Sequence, residues 1–446
     1  MSKFALLFLL MFFGCLIGAF FSSPLYAVIL YKLVYFMNPE SRWWGAGIPS
    51  IGYSFITVMV MIFSLLIHYS RLSEKTRWRE QPVFKWIVIL LLIYYFTGFF
   101  AVLTSIHYQF CFEFLKLVVI LFVVYKIIDR QSIFDAVIWA YIIGAAYIGY
   151  YAGFVGRNSA GRVEGIGMID TGGDSNLTAA ALVPAVVMLL YYVWLGSLKV
   201  RLLSVVCAAF VVNGLILINS RGAFIGCVVG ASIFLSYMIF SKWQKKGQRG
   251  TAVAIILFGL VGAFSLTDAS FWARMSTLKV IEDGGTSGSH RIDFWLATFD
   301  VMRDHPLGVG ISGFEAVSQS YLPESYFVTL DAKAVHSSWF QLLAEAGWVG
   351  LVCFGLLLVS LFRLLRLTKK YLLEHQLTER YFHVLSLEAA LLGYFAAATF
   401  INRIRAPALW WCILFLMIAT NIYYLQYKNG HKKIEILNDE IKRKRS

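Results

Sequence analysis

The chain has 446 residues, of which 59% are hydrophobic and only 14% charged, and its formal net charge is +14. That balance excludes a soluble globular domain. With apolar runs repeatedly reaching the length of about twenty residues that crosses a bilayer, it specifies an all-α polytopic membrane protein.

The first run, Phe4–Phe21, has the length of a signal-peptide core, but Lys3 is its only basic residue and a second apolar run follows instead of a cleavage site. It reads as a retained helix. Phe4–Phe36 is too long for one straight crossing of a core about 30 Å thick and barely enough for two, and Ser22-Ser23-Pro24 marks the break. Eleven further spans are expected near 50–69, 86–104, 110–128, 132–151, 177–195, 201–218, 222–240, 251–266, 339–362, 384–400 and 408–425, for a total of twelve or thirteen. The six cysteines (15, 111, 207, 227, 353 and 412) all fall inside these runs, which indicates neither a disulfide framework nor a cysteine nucleophile.

Orientation follows from the basic loops. Segment 70–85 carries Arg71, Lys75, Arg77, Arg79 and Lys85, segment 241–250 carries Lys242, Lys245, Lys246 and Arg249, and 363–380 and the tail from Lys428 are similarly basic. Alternation through the eleven spans puts all four on one side, which the positive-inside rule makes cytoplasmic. The net charge is thereby an orientation signal rather than a nucleic-acid footprint. The organisation expected is N-terminal membrane helices over 1–266, a long outer loop over 267–335, C-terminal membrane helices over 336–427 and a basic cytoplasmic tail over 428–446. Loops 37–49 and 152–176 and the turns Asn219–Arg221 and Asn402–Pro407 share the outer side.

The long loop holds nine acidic residues against five lysines and arginines, so its arginines do not reflect bulk basicity. A linker-like stretch, Glu282–Ser289, divides it. Beyond the linker, apolar residues at 292, 295, 299 and 302 predict an amphipathic helix over 290–304, stopped by Pro306 and suited to lie on a membrane surface. Arg291 falls in its first turn; taken alone, pairing with Asp293 or a lipid headgroup accounts for it better than chemistry does.

Arg221 opens the span 222–240 after a turn of almost no length. Ser220 can cap that helix, and the helix start adds N–H groups and positive dipole to the guanidinium, an arrangement suited to an anion. A snorkelling arginine that only sets helix depth explains it equally well. His336-Ser337 begins the next span, with Gly347 and Gly350 beyond it. On a continuous helix 336, 340, 343, 347 and 350 share one face, so the histidine would stand at the outer end of a stripe whose glycines permit close approach. A histidine at such a junction is usually only a cap.

The spacing His336-Ser337, nine residues, Gly347, two residues, Gly350 resembles the pattern of the bacterial O-antigen ligases, within the wider group of O-antigen ligases, polymerases and O-oligosaccharyltransferases. Ser220-Arg221-Gly222-Ala223, the run Arg291, Trp295, His305-Pro306-Leu307-Gly308 and the long loop before the last three spans support the resemblance, which covers roughly residues 200–360. Met37-Asn38-Pro39 with Trp44-Gly45 also resembles the O-glycosylation ligase branch found beside exosortase systems.

The resemblance implies a fold like the C-type glycosyltransferases in the bacterial inner membrane, with its active site facing the periplasm. It also implies transfer of a glycan from undecaprenyl diphosphate to a hydroxyl of lipid A–core, without a metal or nucleotide cofactor. Arg221 and Arg291 then become candidates to stabilise the diphosphate leaving group, because a guanidinium engages phosphate oxygens bidentately and stays charged. His336 becomes the candidate base or positioning group for the acceptor hydroxyl, since an imidazole ordinarily titrates near pH 6.5. Ser337, Arg157, Arg162, Arg403 and Arg405 are supporting substrate-binding candidates. Direct displacement would invert the anomeric carbon.

An O-antigen polymerase or a protein O-oligosaccharyltransferase would use the same donor with another acceptor. A lipid-linked-glycan transporter predicts polar residues at mid-bilayer depth and paired broken helices, and the sequence offers neither. Glu113 and Lys116 are expected as a helix-surface ion pair. His290, His305 and His336 with Asp293 and Asp304 match no metal-ligand spacing, and the single acid of Pro39-Glu40-Ser41-Arg42 argues against a metal-dependent C-type enzyme.

Overall fold

The computed structural model describes residues 2–73, 75–159, 161–241, 245–267, 271–272, 290–327 and 334–428. The expected linker Glu282–Ser289 and most of the basic tail lie outside the described residues. Among those described there are helices and no strands, as a chain in hydrocarbon requires when each backbone polar group must be satisfied within its own segment.

The helices run in chain order as α1 (Lys3–Phe21), α2 (Leu25–Met37), α3 (Tyr53–Ile67), α4 (Val83–Thr97), α5 (Thr104–Ile127), α6 (Gln131–Val155) and α7 (Ser175–Leu195). They continue as α8 (Leu198–Ile218), α9 (Arg221–Phe240), α10 (Gln248–Leu266), α11 (His290–Asp304), α12 (Ser338–Glu374), α13 (Thr378–Ala398) and α14 (Pro407–Thr420). α14 continues through a π-helical turn at Asn421–Leu425 to Lys428. Among the described residues eight helices are long and apolar enough to cross a membrane, with shorter apolar helices at Tyr53–Ile67, Val83–Thr97 and Gln248–Gly262. The protein is therefore a polytopic membrane protein. The N-terminal run does break at Ser22–Pro24, but the 13-residue α2 rises only about 20 Å, less than a full crossing.

Packing relies on small residues. α9 crosses α13 through Gly222, Gly226 and Gly230; a Cβ on Gly226 would come within 2.6 Å of the Gly393 carbonyl, and one on Gly230 within 3.0 Å of that of Ala389. With no water to expel between membrane helices, such close approach is what supplies van der Waals contact. α14 runs through the middle, with every residue from Ala408 to Tyr423 buried, as a helix apolar on all sides should.

Two expectations need correction. The expected face of α11, residues 292, 295, 299 and 302, packs only in part: Met302 is buried and Trp295 docks, but Ile292 and Phe299 are exposed, while Phe294, Ala297 and Val301 outside it are buried. The indole of Trp295 lies flat on Phe340 at 5.4 Å and donates to the Val335 carbonyl at 3.1 Å, and this docking sets the helix's rotation. The second concerns α12, which is not one uniform helix. Gly347 has φ 64° and ψ −168°, a break that only glycine accommodates readily.

Into that break fits Pro306-Leu307-Gly308. The Val309 N–H donates to the Ala344 carbonyl at 2.8 Å, that of Gly310 to the Glu345 carbonyl at 3.2 Å, and that of Trp348 to the Pro306 carbonyl at 3.2 Å. A Cβ on Gly347 would lie 2.4 Å from the Pro306 oxygen. On the other side of the segment, Ile311 N–H donates to His107 Nδ1 at 2.9 Å and the opposite ring nitrogen meets the Tyr94 carbonyl at 2.8 Å, which fixes His107 as the Nε2–H tautomer. Gly347 thus serves less as a point on a smooth stripe than as a socket for the end of the polar segment.

Candidate active site

The start of α12 is stapled to the turn 399–406. Ser337 N–H donates to Asn402 Oδ1 at 3.0 Å; the Ser338 hydroxyl donates to the Ile401 carbonyl at 2.7 Å and accepts from Arg403 N–H at 2.9 Å. Immediately before this staple His336 takes φ 55°, the left-handed region, and its side chain is exposed. Histidine is among the non-glycine residues found there, but at some conformational cost. The Ser337 side chain is 0% exposed. Its part in the geometry is the backbone bond to Asn402 rather than a surface hydroxyl.

α11 brings the second element. The Phe294 ring lies 6.4 Å from the His336 imidazole. Arg291 precedes Phe294 and Trp295 by three and four residues, so helical spacing puts it on the face that meets the start of α12. It is half-buried.

The third element is the α8–α9 turn. Asn219 is left-handed at φ 57° and Ser220 extended, which reverses the chain within two residues and leaves Arg221 as the first helical residue, half-buried. Contrary to expectation, the Ser220 side chain makes no cap hydrogen bond. A Cβ on Gly222 would sit 3.4 Å from that of Phe400, whose ring is 6.4 Å from Trp295. Phe400 therefore touches the starts of both arginine-bearing helices, drawing Arg221, Arg291 and His336 to one end of the bundle.

The supporting arginines ring the same end in different states. Arg157 Nη2 reaches the Ile216 carbonyl at 3.5 Å, and the Val163 N–H donates to that of Leu217 at 3.0 Å, which lays loop 156–174 along the end of α8. Arg162 pairs with Glu164 at 3.3 Å. Arg403 donates to the Asp170 carboxylate at 2.9 Å and to its carbonyl at 3.0 Å. Arg405 makes a two-point contact with Glu345, at 2.9 and 3.2 Å, and Glu345 also accepts from Gln341 and Tyr94. Burial pushes the Arg405 pKa down, but Glu345, Tyr94 and Cys111 together push it up, and the net shift is upward. Nearby, burial and then the charge on Glu345 push the Glu315 carboxyl up, with Arg405 opposing.

Asp170, Glu345, Gln341, Asn402 and Arg42 were not singled out from the sequence. Glu345 is the one acidic residue in the run 339–362, a signal of a buried charge with a partner. The Arg42 guanidinium, 3% exposed, donates to the carbonyls of Phe36, Met37 and Gly167, tying loop 37–49 to loop 156–174. Nothing in local pattern announces either partnership. Glu113 and Lys116 do form the expected ion pair, at 2.7 Å.

Beside the turn 399–406 opens a cleft of about 1010 Å³. Asp170, Gln341, Asn402, Arg403 and Arg405 line its polar part, and α3 and α5 its apolar walls. Residues 203–355, a stretch that contains Arg221, Arg291, His336, Gly347 and Gly350, match the family model described as O-antigen ligase. No curated protein matches the chain.

Proposed function

With an O-antigen ligase family domain over residues 203–355 as the premise, we propose that the protein transfers a glycan from undecaprenyl diphosphate to a hydroxyl of lipid A–core at the periplasmic face of the inner membrane. The observation that supports this reading is a chain of contacts at one end of the bundle: Phe294 of the Arg291 helix lies against His336, and Phe400 meets both Trp295 of that helix and Gly222 in the first turn of the Arg221 helix.

In this mechanism the acceptor oxygen attacks the anomeric carbon as the bond from that carbon to the diphosphate oxygen breaks. Arg221 and Arg291 hold the diphosphate and stabilise the charge that develops on it, a task for which fixed guanidinium groups away from bulk water are effective. The acceptor's proton passes to the His336 imidazole and from there to solvent. Such assistance contributes roughly 100- to 10,000-fold where it operates. Arg157 and Arg162 flank the diphosphate side, while Arg403 and Arg405, held by Asp170 and Glu345, shape the acceptor side. No metal takes part, and attack opposite the leaving group inverts the anomeric carbon.

The test is an incubation of purified protein with the lipid-diphosphate glycan and, in separate reactions, lipid A–core, a second lipid-linked glycan and a serine-bearing peptide, each with and without a chelator. Covalent product on lipid A–core, insensitive to the chelator, is expected. Product on the second lipid-linked glycan alone would make the protein a polymerase, and loss of product with the chelator would remove the metal-free mechanism.

A further inference from the structure

The break at Gly347 frees the residues ahead of it. With the helical backbone interrupted there, the membrane-spanning part of α12 does not dictate how residues 338–346 are oriented. Side-chain ties set that orientation instead, and they lie on one face. Ser338, Gln341 and Glu345 follow helical spacing and meet the turn 399–406 in order. Ser338 bonds Ile401 and Arg403, Gln341 Oε1 accepts the Ile404 N–H at 3.3 Å, and Glu345 takes Arg405. His336 stands just ahead of this face, joined to the same turn through Ser337 and Asn402.

Glu345 is the charged member of the set. It is 4% exposed, and its side chain does not line the cleft. One carboxylate oxygen accepts from Arg405 Nη2 at 2.9 Å and Gln341 Nε2 at 2.8 Å, the other from Arg405 Nε at 3.2 Å and the Tyr94 hydroxyl at 3.0 Å. A carboxylate has about four such acceptor sites, so the set is complete. Its backbone carbonyl has a different task. It accepts the Gly310 N–H at 3.2 Å and so holds the segment that runs back through Pro306 to α11 and Arg291. Behind it the Tyr94 carbonyl meets His107, and His107 meets the Ile311 N–H, which closes a ring of bonds around the same segment.

A buried ion pair is a poor source of stability, because taking both charges out of water largely cancels their attraction, and apolar groups of similar volume often serve as well. What four directed bonds supply, and a leucine does not, is a single geometry. We infer that Glu345 is a positioning residue for the transfer reaction. Through its carboxylate it fixes the turn that holds His336, through its backbone it fixes the segment that carries Arg291, and it thereby sets one against the other without touching substrate. The inference rests on the ligase reading and adds to it a residue that acts through His336.

Kinetics separate positioning from stability. Glu345→Gln keeps the shape and loses the charge; it should lower the transfer kcat roughly 10- to 100-fold, the scale set by a displacement of about 1 Å at a reacting group, and leave both KM values within about twofold. In a His336→Ala background the same substitution should cost less than about twofold, because residues that act as a unit are not additive. Glu345→Leu combined with Arg405→Met fills the space with apolar groups. It should match the wild-type midpoint of thermal unfolding and still lose kcat as Glu345→Gln does. Full kcat in either variant, an equal loss with and without His336, a rise in either KM in place of the fall in kcat, or failure of both variants to fold would overturn the inference.

A second readout needs no turnover. In the full-length protein, amide hydrogen exchange across residues 336–342 should be at least about fivefold faster in Glu345→Gln than in the wild type, with exchange across 378–398 unchanged. Equal exchange across 336–342 would remove the tie itself. A wild-type protein that forms no covalent product with any acceptor, in a pair that shows the exchange difference, would refute the ligase reading and leave the tie standing.

Discussion

His336 sits in a left-handed conformation at the head of α12, fixed on one side by the Ser337–Asn402 bond and on the other by the contact of its ring with Phe294. A backbone so constrained presents the imidazole in one direction, which suits a group that must meet a hydroxyl. Under the proposed mechanism His336→Ala should keep its fold and lose roughly 100- to 10,000-fold in transfer rate. Arg221→Lys should lose at least about tenfold despite keeping its charge, because a lysine cannot engage two phosphate oxygens in the guanidinium's planar fork. Steady-state rates on variants checked for normal thermal stability measure both. What the sequence made legible is their position, each beside a helix start in an otherwise apolar chain. The carboxylate partners of Arg403 and Arg405 were not legible: Asp170 and Arg403 are 233 positions apart, and no single sequence reports a pairing at that distance.

The elements show a different balance. Helix positions followed from apolar length, and the limits of α11 followed from period and Pro306, yet the full extent of its packed face and the break in α12 did not. The 3.6-residue period tells which residues can share a face but not how far round the helix its packing will extend. Likewise a glycine in an apolar run reads equally as a close-packing point or as a hinge, and only the inserted Pro306-Leu307-Gly308 decides for Gly347. Gly347→Ala meets a left-handed backbone and a carbonyl at 2.4 Å together. It should cost about 1–3 kcal/mol from the backbone conformation alone, with more from the overlap. A clear fall in the midpoint of thermal unfolding in detergent is expected, whereas Gly355→Ala, where an added Cβ meets nothing within 4 Å, should leave it nearly unchanged.

For the whole molecule, the expectation of twelve or thirteen spans meets, among the described residues, eight full-length candidates and several shorter apolar helices. The difference lies partly in short helices: α2 has 13 residues and the apolar helices Tyr53–Ile67, Val83–Thr97 and Gln248–Gly262 fall below a full crossing, while α12 runs on to Glu374 through what the sequence suggested was a basic loop. Orientation can be tested directly. A membrane-impermeant maleimide should reach a cysteine at Gly156 only from the periplasm and one at Gln376 only after the cytoplasmic face is opened, in a background with the native cysteines replaced. Labelling from the reverse sides would invert the topology and remove the periplasmic assignment.

Under the proposed mechanism this end of the bundle makes a glycosidic bond. The most direct measurement is a single-turnover reaction of purified protein with labelled undecaprenyl-diphosphate glycan and lipid A–core, followed by mass and anomeric analysis of the product. The wild-type protein should yield glycan joined to lipid A–core with inverted anomeric configuration, and folded His336→Ala should yield almost none over the same time. Retained configuration, or undiminished product from the His336→Ala variant, would contradict it.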